Sequence, residues 1–218
     1  MGIFQHFLVF ILLFFQTNWD GKLNTGLDAG YMSPTEKAVL FEINKVRNNP
    51  VRYADEYLEP MKTYYNGNKL AYPGQMPIIT SEGRKALDEC LRFLKNAGTV
   101  SPLQPDKGLF MAARDHVNDQ QKNGGIGHFG KDSSKPVDRI ERYGNWDVSA
   151  AENIAYGIDD ARKVVISLLI DDGVPGRGHR TNLLNPSFTV VGISLGNHPD
   201  YGSVCVMDFA GAYQSKLP

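Results

Sequence analysis

Hydrophobic residues recur at helical spacing in four segments of the chain. The first segment opens with Ser33, which can cap a helix, followed by Pro34 at the first helical position and Glu36, which can complete a capping box. Apolar residues then follow at positions 39, 43 and 46, and Asn48-Asn49-Pro50 ends this helix and can begin another. A second helix is predicted after Thr80, with one apolar face formed by Ala86, Leu87, Cys90, Leu91 and Leu94. A third is predicted from about Lys107 to Lys122. A fourth is predicted after Asp159, with one apolar face formed by Val164, Val165, Leu168 and Leu169.

Strand-like patterns lie mainly at the end of the chain. Segments 188–195 and 203–209 are apolar, and the Gly- and Pro-containing stretch 196–202 between them predicts an antiparallel hairpin. A short strand is predicted over 151–156, whereas 62–75 and 126–150 have the composition of loops. Early helices followed by late strands indicate an α+β fold with helices packed on an antiparallel sheet.

An apolar run at the N-terminus divides the chain into segments. Residues 7–15 contain no polar side chain, and a run this short fits the central part of a secretory signal peptide better than a membrane span, which needs about 20 residues. We therefore expect residues 1–20 to be a signal peptide, 21–32 a linker and 33–218 a single domain of a secreted protein with no membrane span after signal removal. A buried or membrane-surface N-terminal helix is the alternative.

Composition narrows the classes of partner. The 218 residues are 42% hydrophobic and 22% charged, and 23 Lys and Arg balance 24 Asp and Glu, so nothing indicates a nucleic-acid partner. Cys90 shares a helical face with two leucines and Cys205 lies in an apolar strand, so both suit core packing, although a Cys90–Cys205 disulfide is possible in an oxidising compartment.

Histidines and carboxylates occur at four places that could share one site. His128 lies among glycines, Glu152 lies in an otherwise apolar segment, the pair Asp171–Asp172 ends the fourth predicted helix, and His179 follows in a Gly- and Arg-rich loop. Imidazole nitrogen suits zinc or copper, and carboxylates can orient such ligands from behind. Spacing alone does not bring these residues together, so each could equally be a surface or capping residue.

Other catalytic arrangements lack support in the sequence. No G-x-S-x-G string is present to hold a nucleophilic serine, and a Cys–His enzyme has no good candidate because Cys90 lies on a helix face. His116 lies within the third predicted helix, where a hydrogen-bonding structural role is expected, and His198 lies in the hairpin turn and is expected to be exposed.

The order of several short motifs resembles the CAP superfamily, which comprises cysteine-rich secretory proteins, antigen 5 and plant pathogenesis-related proteins. The motifs are AARDH at 112–116, GHFG at 127–130, ENIAYG at 152–157, GHRTNLL at 178–184 and DFA at 208–210. The resemblance covers roughly residues 34–213 and is strongest for the cysteine-poor branch. It implies a three-layer α–β–α sandwich with an antiparallel sheet between helices.

The resemblance also implies a central cavity with two histidines and two acidic residues. His128 and His179 match the histidines, Glu152 matches the first acidic residue, and the second is an aspartate here instead of the family's glutamate. We expect Asp172 in that position rather than Asp171, because Asp172 continues the apolar face of the preceding helix. His116 and Asn153 are expected to line or support the cavity.

Three functional hypotheses follow from this resemblance. The first is a secreted module that binds a lipid, sterol or protein partner, with Zn²⁺ or another divalent ion at His128 and His179. The second is a metal-dependent hydrolase, of peptidase or esterase type, in which Glu152 and Asp172 act on a metal-bound water. The third is a purely structural role, in which Glu152 bonds backbone amides and His179 anchors its loop.

Overall fold

A computed structural model describes residues 18–217 of the chain. Within that range the helices follow the predicted order, with additional short elements. They are α1 (Pro34–Asn48), α2 (Pro50–Tyr53), α3 (Arg84–Asn96), α4 (Lys107–Asn123), α5 (Pro136–Tyr143), α6 (Ala161–Ile170) and α7 (Gly178–Leu183). A π-helical turn, Ala54–Leu58, and a 3₁₀ turn, Glu59–Tyr64, continue α2.

The described strands form one principal sheet and two small ones. They are β1 (Tyr65–Asn66), β2 (Lys69–Leu70), β3 (Ile78–Ile79), β4 (Gln104–Pro105), β5 (Gly144–Asn145), β6 (Ser149–Tyr156), β7 (Val190–His198), β8 (Gly202–Gly211) and β9 (Gln214–Ser215). The principal sheet has the order β4-β7-β8-β6, and its pairs are antiparallel except for the short parallel contact of β4 with β7. β6 is therefore an edge strand of this sheet.

Helices cover both faces of the principal sheet. Alternate residues of β8 separate the two sides: Val204 and Val206 pack with α4, whereas Cys205 and Met207 join the main core beneath α1, α3 and α6. Because strand side chains alternate between faces, one apolar strand can serve two helical layers. The predicted three-layer α–β–α sandwich is thus confirmed.

Capping residues and turn residues in the sequence explain where the main helices and the hairpin begin and end. Ser33 and Glu36 form the predicted capping box at the start of α1, and Asp106 caps α4 through the amides of Gly108 and Leu109. The predicted hairpin is present as β7 and β8, with strands that extend further into the turn than expected. α4 lies so close to β7 at Gly192 that a Cβ there would lie 2.0 Å from the backbone of α4.

Two segments expected to be loops contain regular structure. Segment 126–150 includes the eight-residue helix α5 and the strand β5, and segment 62–75 includes β1 and β2, which pair with β3 in a small antiparallel sheet. α5 has only eight residues and buries only Arg139 and Ile140, which is too little for hydrophobic periodicity to reveal it.

The segment 21–32, expected to be a linker, instead packs on the domain. Leu23 and Met32 are buried, the Leu23 carbonyl accepts from Asn44, and the Thr25 hydroxyl donates to the Leu103 carbonyl. Trp19, within the expected signal peptide, donates its indole N–H at 2.9 Å to Glu56. The rest of that signal peptide, residues 1–17, lies outside the described residues.

Two further expectations concern membranes and cysteines. Across residues 18–217, no helix combines the length and the apolar character needed to cross a bilayer. Cys90 in α3 and Cys205 in β8 are both buried and both free, so they pack in the core and do not form a disulfide. Burial raises the pKa of the Cys90 thiol to about 12, which leaves no reactive thiolate at neutral pH.

Candidate functional site

A glycine-rich loop after α4 carries His128. Gly125 and Gly127 have φ angles of 88° and 92°, which favour glycine because they require the left-handed side of the Ramachandran map. Two other histidines hold this loop: His116 Nε2 lies 2.8 Å from the Gly127 carbonyl, and His198 Nε2 lies 2.7 Å from the Gly125 carbonyl. His116 therefore makes the kind of hydrogen bond expected of a structural residue, whereas His198 is buried and not exposed as predicted.

His128 forms the first of two histidine–carboxylate pairs. Its Nδ1 lies 2.8 Å from Glu152 Oε1, and Arg139 donates at 2.7 Å to Glu152 Oε2 and at 3.1 Å to the His128 carbonyl. Arg139 and Glu152 are buried, while the His128 side chain is 46% exposed. Both oxygens of Glu152 are therefore engaged, and the free face of the imidazole, with Nε2, points away from the carboxylate.

A second carboxyl group lies directly behind this pair. Asp208 of β8 pairs in register with Glu152 of β6 and is completely buried. Neither of its carboxyl oxygens has a hydrogen-bond partner within the described residues. Burial, and then the charge of Glu152, raise the pKa of Asp208 well above its ordinary value. Asp208 is therefore a buried acid that holds its proton more strongly than an ordinary aspartate does.

His179 forms the second pair, with Asp171. Its Nδ1 lies 2.6 Å from Asp171 Oδ1, and its backbone amide donates at 3.0 Å to Oδ2 of the same carboxylate. Asp171 is buried, and the His179 side chain is 22% exposed. The two pairs share one arrangement, in which a buried carboxylate binds Nδ1 of a histidine and leaves its Nε2 free of that contact.

The structure corrects the choice between the two aspartates. Asp172 does not face the histidines; its carboxylate accepts from the backbone amides of Ser81 and Glu82 at 2.6 and 2.8 Å. α6 ends at Ile170, and Asp171 has left-handed angles, φ 55° and ψ 44°. The helix has therefore ended before Asp172, and the helical periodicity that favoured Asp172 does not apply to it.

Two arginines fix the segment that carries His179. Arg177 donates to the Asp171 carbonyl at 2.7 Å and forms ion pairs with Glu82 and Glu89. Arg180, which is buried, binds the last carbonyls of α6 and also pairs with Glu89. These contacts explain why a Gly- and Arg-rich stretch holds one histidine in a defined orientation.

The edge strand β6 contacts both pairs. Glu152 contacts His128, and the next residue, Asn153, donates its amide N–H at 3.0 Å to the carbonyl of His179. Asn153 also accepts from Asn182 at 2.9 Å, so the supporting role expected for it has a geometric basis. β6 therefore ties the segment that carries His179 to the strand that carries Glu152.

The donor set suits a metal ion only in part. Within residues 18–217, no three or more His, Cys, Asp and Glu side chains are placed to hold a metal ion together. A histidine whose Nδ1 binds a carboxylate presents Nε2 as a ligand, which is the usual arrangement behind a metal-bound imidazole. The donor set therefore offers two imidazole nitrogens, which are too few protein ligands for a closed metal site.

Sequence reasoning missed Arg139 and Asp208. Arg139 lies in an eight-residue helix that periodicity did not reveal. Asp208 interrupts the apolar stretch Val204–Phe209, as Glu152 interrupts its own apolar segment, and a lone carboxylate in a buried strand is the signal that could have identified it.

Comparisons with known proteins agree with this architecture. The family model of CAP, the cysteine-rich secretory protein family, matches residues 40–209. The uncharacterized protein YkwD of Bacillus subtilis is 30% identical over 135 residues, which cover 62% of this chain and 49% of the relative. The chain thus spans about half the length of this curated relative.

Solved structures of low identity are also similar. An outer surface protein from Borrelia burgdorferi is 23% identical with a TM-score of 0.43, covering 52% of this chain and 80% of that one. An extracellular protein with an SCP domain from Bacillus anthracis is 23% identical with a TM-score of 0.42, covering 70% and 43%. On the strength of the match over residues 40–209, the chain belongs to the CAP family of cysteine-rich secretory proteins.

Proposed function

We propose that this protein is an extracellular CAP-domain binding module that holds a divalent metal ion, with zinc as the first choice, between His128 and His179. The observation that carries the proposal is the repeated histidine–carboxylate arrangement in two segments that both contact β6. Two separate elements use a buried acid to orient an imidazole whose side chain is partly open to solvent.

The two histidine nitrogens would be the ion's only protein ligands. Asp171 and Glu152 would stay behind the imidazoles, where they fix the tautomer and raise the basicity of Nε2. Because closed structural zinc sites have four protein ligands, a site with two imidazoles should bind zinc more weakly than those do. The bound ion would supply a Lewis-acid centre at the surface of the cavity.

The contacts of Glu152 favour binding over hydrolysis. A general base needs a free carboxylate oxygen within reach of the attacking water. Glu152 uses Oε1 for His128 and Oε2 for Arg139, and Asp172, the other predicted catalytic acid, caps a turn away from the histidines. A metal-dependent hydrolase would need to break one of these contacts, which a binding module keeps.

The proposed location and partners follow from the family and from the charge of the chain. The family that matches residues 40–209 is described as one of secretory proteins, which supports secretion or display at the cell surface. The near-neutral chain, with a net charge of −1, does not favour nucleic acid. A lipid, sterol or protein ligand is the proposed partner class.

Calorimetric titration with zinc at pH 7 tests the metal site. The protein should bind one ion saturably, His128→Ala and His179→Ala should each weaken binding at least tenfold, and the double variant should lose it. Circular dichroism and thermal melts would show that the variants stay folded. Equal binding by the protein and the double variant would refute the site.

A hydrolase assay completes the test. Zinc-loaded protein is incubated with peptide and ester substrates, beside Glu152→Gln. We expect no turnover by either protein, because the carboxylate is already engaged. Zinc-dependent turnover that Glu152→Gln abolishes would favour the hydrolase instead.

A further inference from the structure

A cavity lies apart from the two histidines, beneath the small sheet formed by β1, β2 and β3. It has a volume of about 530 Å³ and lies between this sheet and α6. Its lining is largely apolar, with Leu70, Met76, Ile78, Ile79, Ile158, Ile166 and Ile170 among its members. A cavity of this size and composition is in the range that binds small ligands.

On the sheet side of this cavity, three large apolar side chains are exposed to solvent. Met76 is 88% exposed, Ile79 is 79% exposed and Ile78 is 54% exposed. Within five residues, three large apolar side chains thus remain in contact with solvent at the rim of an apolar cavity. A contiguous group of exposed apolar side chains is typical of a binding surface, whereas single exposed apolar residues are common on any protein.

Tyr72 and Lys163 divide this cavity from a neighbouring one. Both residues line each cavity, as does Ile166, and the Lys163 ammonium lies 5.0 Å from the centre of the Tyr72 ring. The second cavity, of about 520 Å³, is lined by the tyrosines at positions 57, 64 and 72 and by charged side chains. One groove therefore has an apolar compartment and an aromatic, polar compartment.

The carboxylates of the polar compartment already have partners. Glu42 pairs with Arg162 at 3.1 Å, Glu56 pairs with Arg52 at 2.6 Å, and Asp160 caps α6 through the amide of Lys163. In the apolar compartment, Asp172 is taken by two backbone amides. Carboxylates also outnumber cations around the groove, which disfavours an anionic ligand.

We infer that this groove binds a single-chain amphiphile with an uncharged, hydroxyl-bearing head group, such as an alkyl glycoside. The alkyl chain would lie in the apolar compartment against Ile78, Ile79 and Ile166. The head would pass the Tyr72–Lys163 border and contact the tyrosines, whose rings stack on sugars and whose hydroxyls bond to them. This inference rests on the proposed binding function and names its ligand class and place.

Octyl and decyl β-glucosides, used below their micelle-forming concentrations, are the probes for the test. Binding is followed by tyrosine and tryptophan fluorescence and by calorimetry. Each added methylene should raise affinity about three- to fourfold, since burial of a methylene removes apolar surface from water. Octanoate and octylammonium should bind at least tenfold more weakly than octyl glucoside.

Variants distinguish the two compartments. Ile78→Thr with Ile79→Thr should weaken decyl glucoside at least tenfold and flatten the chain-length dependence; both side chains are exposed, so the fold should persist. Tyr72→Leu should remove the preference for the glucoside over decanol. Leu27→Ser, which alters an exposed leucine outside the groove, is the matched control and should bind normally.

The outcomes separate this inference from the metal site. Absence of saturable glucoside binding, or equal binding by the Ile78/Ile79 variant, would overturn the groove and leave zinc binding unaffected. Tighter binding of octanoate or octylammonium would overturn the head-group assignment. The His128→Ala, His179→Ala variant should keep its glucoside affinity, because none of the groove residues is a histidine.

Discussion

At the scale of single residues, two adjacent aspartates have different tasks. Asp171 orients His179, and Asp172 caps the turn before α3. The difference comes from the left-handed backbone at Asp171, which turns the chain immediately after α6. No periodic pattern in the sequence predicts such a reversal, and so sequence reasoning found the aspartate pair but chose the wrong member.

Exchanging each aspartate for asparagine tests these tasks. Asp171→Asn removes the charge behind His179 and should weaken zinc binding about tenfold or more, as loss of such outer partners commonly does. Asp172→Asn is the matched control and should leave the zinc affinity within twofold, although the loss of a cap costs about 1 kcal/mol of stability. Calorimetry and urea unfolding measure both; a larger zinc effect for Asp172→Asn would contradict the assignment.

Asp208 gives a pH prediction. Its pKa is raised in the folded state, so the native protein holds an extra proton from about pH 4, near the unfolded value, up to that raised pKa. Wild-type stability should therefore lose up to about 1.4 kcal/mol per pH unit through this window, a loss that Asp208→Asn should lack. Urea unfolding at pH 4, 5, 6 and 7 compares the wild-type protein with Asp208→Asn. If the free energies of unfolding of the two proteins change in parallel with pH, the raised pKa of Asp208 is refuted.

The pairing of Asp208 with Glu152 could not be predicted from the sequence. Asp208 lies 56 positions later in the chain, and only the register of β6 with β8 brings the two together. Register depends on long-range packing, which no local pattern reports. Glu152, by contrast, was found because it interrupts a segment that is otherwise apolar.

At the scale of elements, buried arginine contacts tie α1 to distant loops. The Arg47 guanidinium is fully buried and donates to the carbonyls of Ser101, Leu183, Asn185 and Phe188. Burial lowers the pKa of Arg47 to about 10, because the charge is removed from water without a carboxylate partner. Arg47 thus holds the end of α1 against the segment that follows α7.

Replacement of Arg47 should be severe. Arg47→Met removes the guanidinium donor from four carbonyls, two of them in buried contacts, and should lower the free energy of unfolding by about 3 kcal/mol or more. Arg47→Lys keeps the charge but cannot reach all four acceptors, so an intermediate loss is expected. Chemical unfolding measures both; a loss below about 1 kcal/mol for Arg47→Met would show that water replaces the guanidinium.

The approach of α4 to β7 gives a second prediction for an element. Gly192→Ala places a Cβ 2.0 Å from the α4 backbone, so α4 must move, and a loss of about 3 kcal/mol is expected. Gly98→Ala is the control, because a Cβ at Gly98 would meet open space, and it should change stability by less than about 1 kcal/mol. Similar melting temperatures for the two variants would contradict this close contact.

Elements with repeated apolar faces were predicted well. α1, α3, α4, α6 and the β7–β8 hairpin all follow from periodicity, caps and turn residues. α5 and the small sheet of β1, β2 and β3 were missed, because short elements bury too few residues to show a period. The missed elements supply Arg139 to the histidine site and the exposed isoleucines to the groove.

At the scale of the whole molecule, the N-terminal segment is part of the domain. Trp19 bonds to Glu56 and Tyr57, and the Arg52 guanidinium lies 4.1 Å from its ring centre. The order of motifs along the chain predicted the sandwich, but low local hydrophobicity hid this docking segment. Its contacts are with residues far away in sequence, which composition does not reveal.

Cleavage of the N-terminus should respect these contacts. If a signal peptide is removed, the new N-terminus should lie at or before Trp19, because a later cut would strip contacts from the domain. Intact mass measurement of protein secreted by a suitable host locates the cut. A mature chain beginning after Leu23, with unchanged thermal stability, would refute the structural role of this segment.

The contacts of two consecutive β6 residues with the two histidine segments limit how the protein can change in evolution. Because strand residues alternate between faces, one inserted or deleted residue between 149 and 152 would turn Glu152 away from His128 and Asn153 away from the His179 carbonyl. The same change in the loop at 146–148 could be absorbed outside the paired strand. Related proteins should therefore vary in length before β6 and keep a constant count of residues within it.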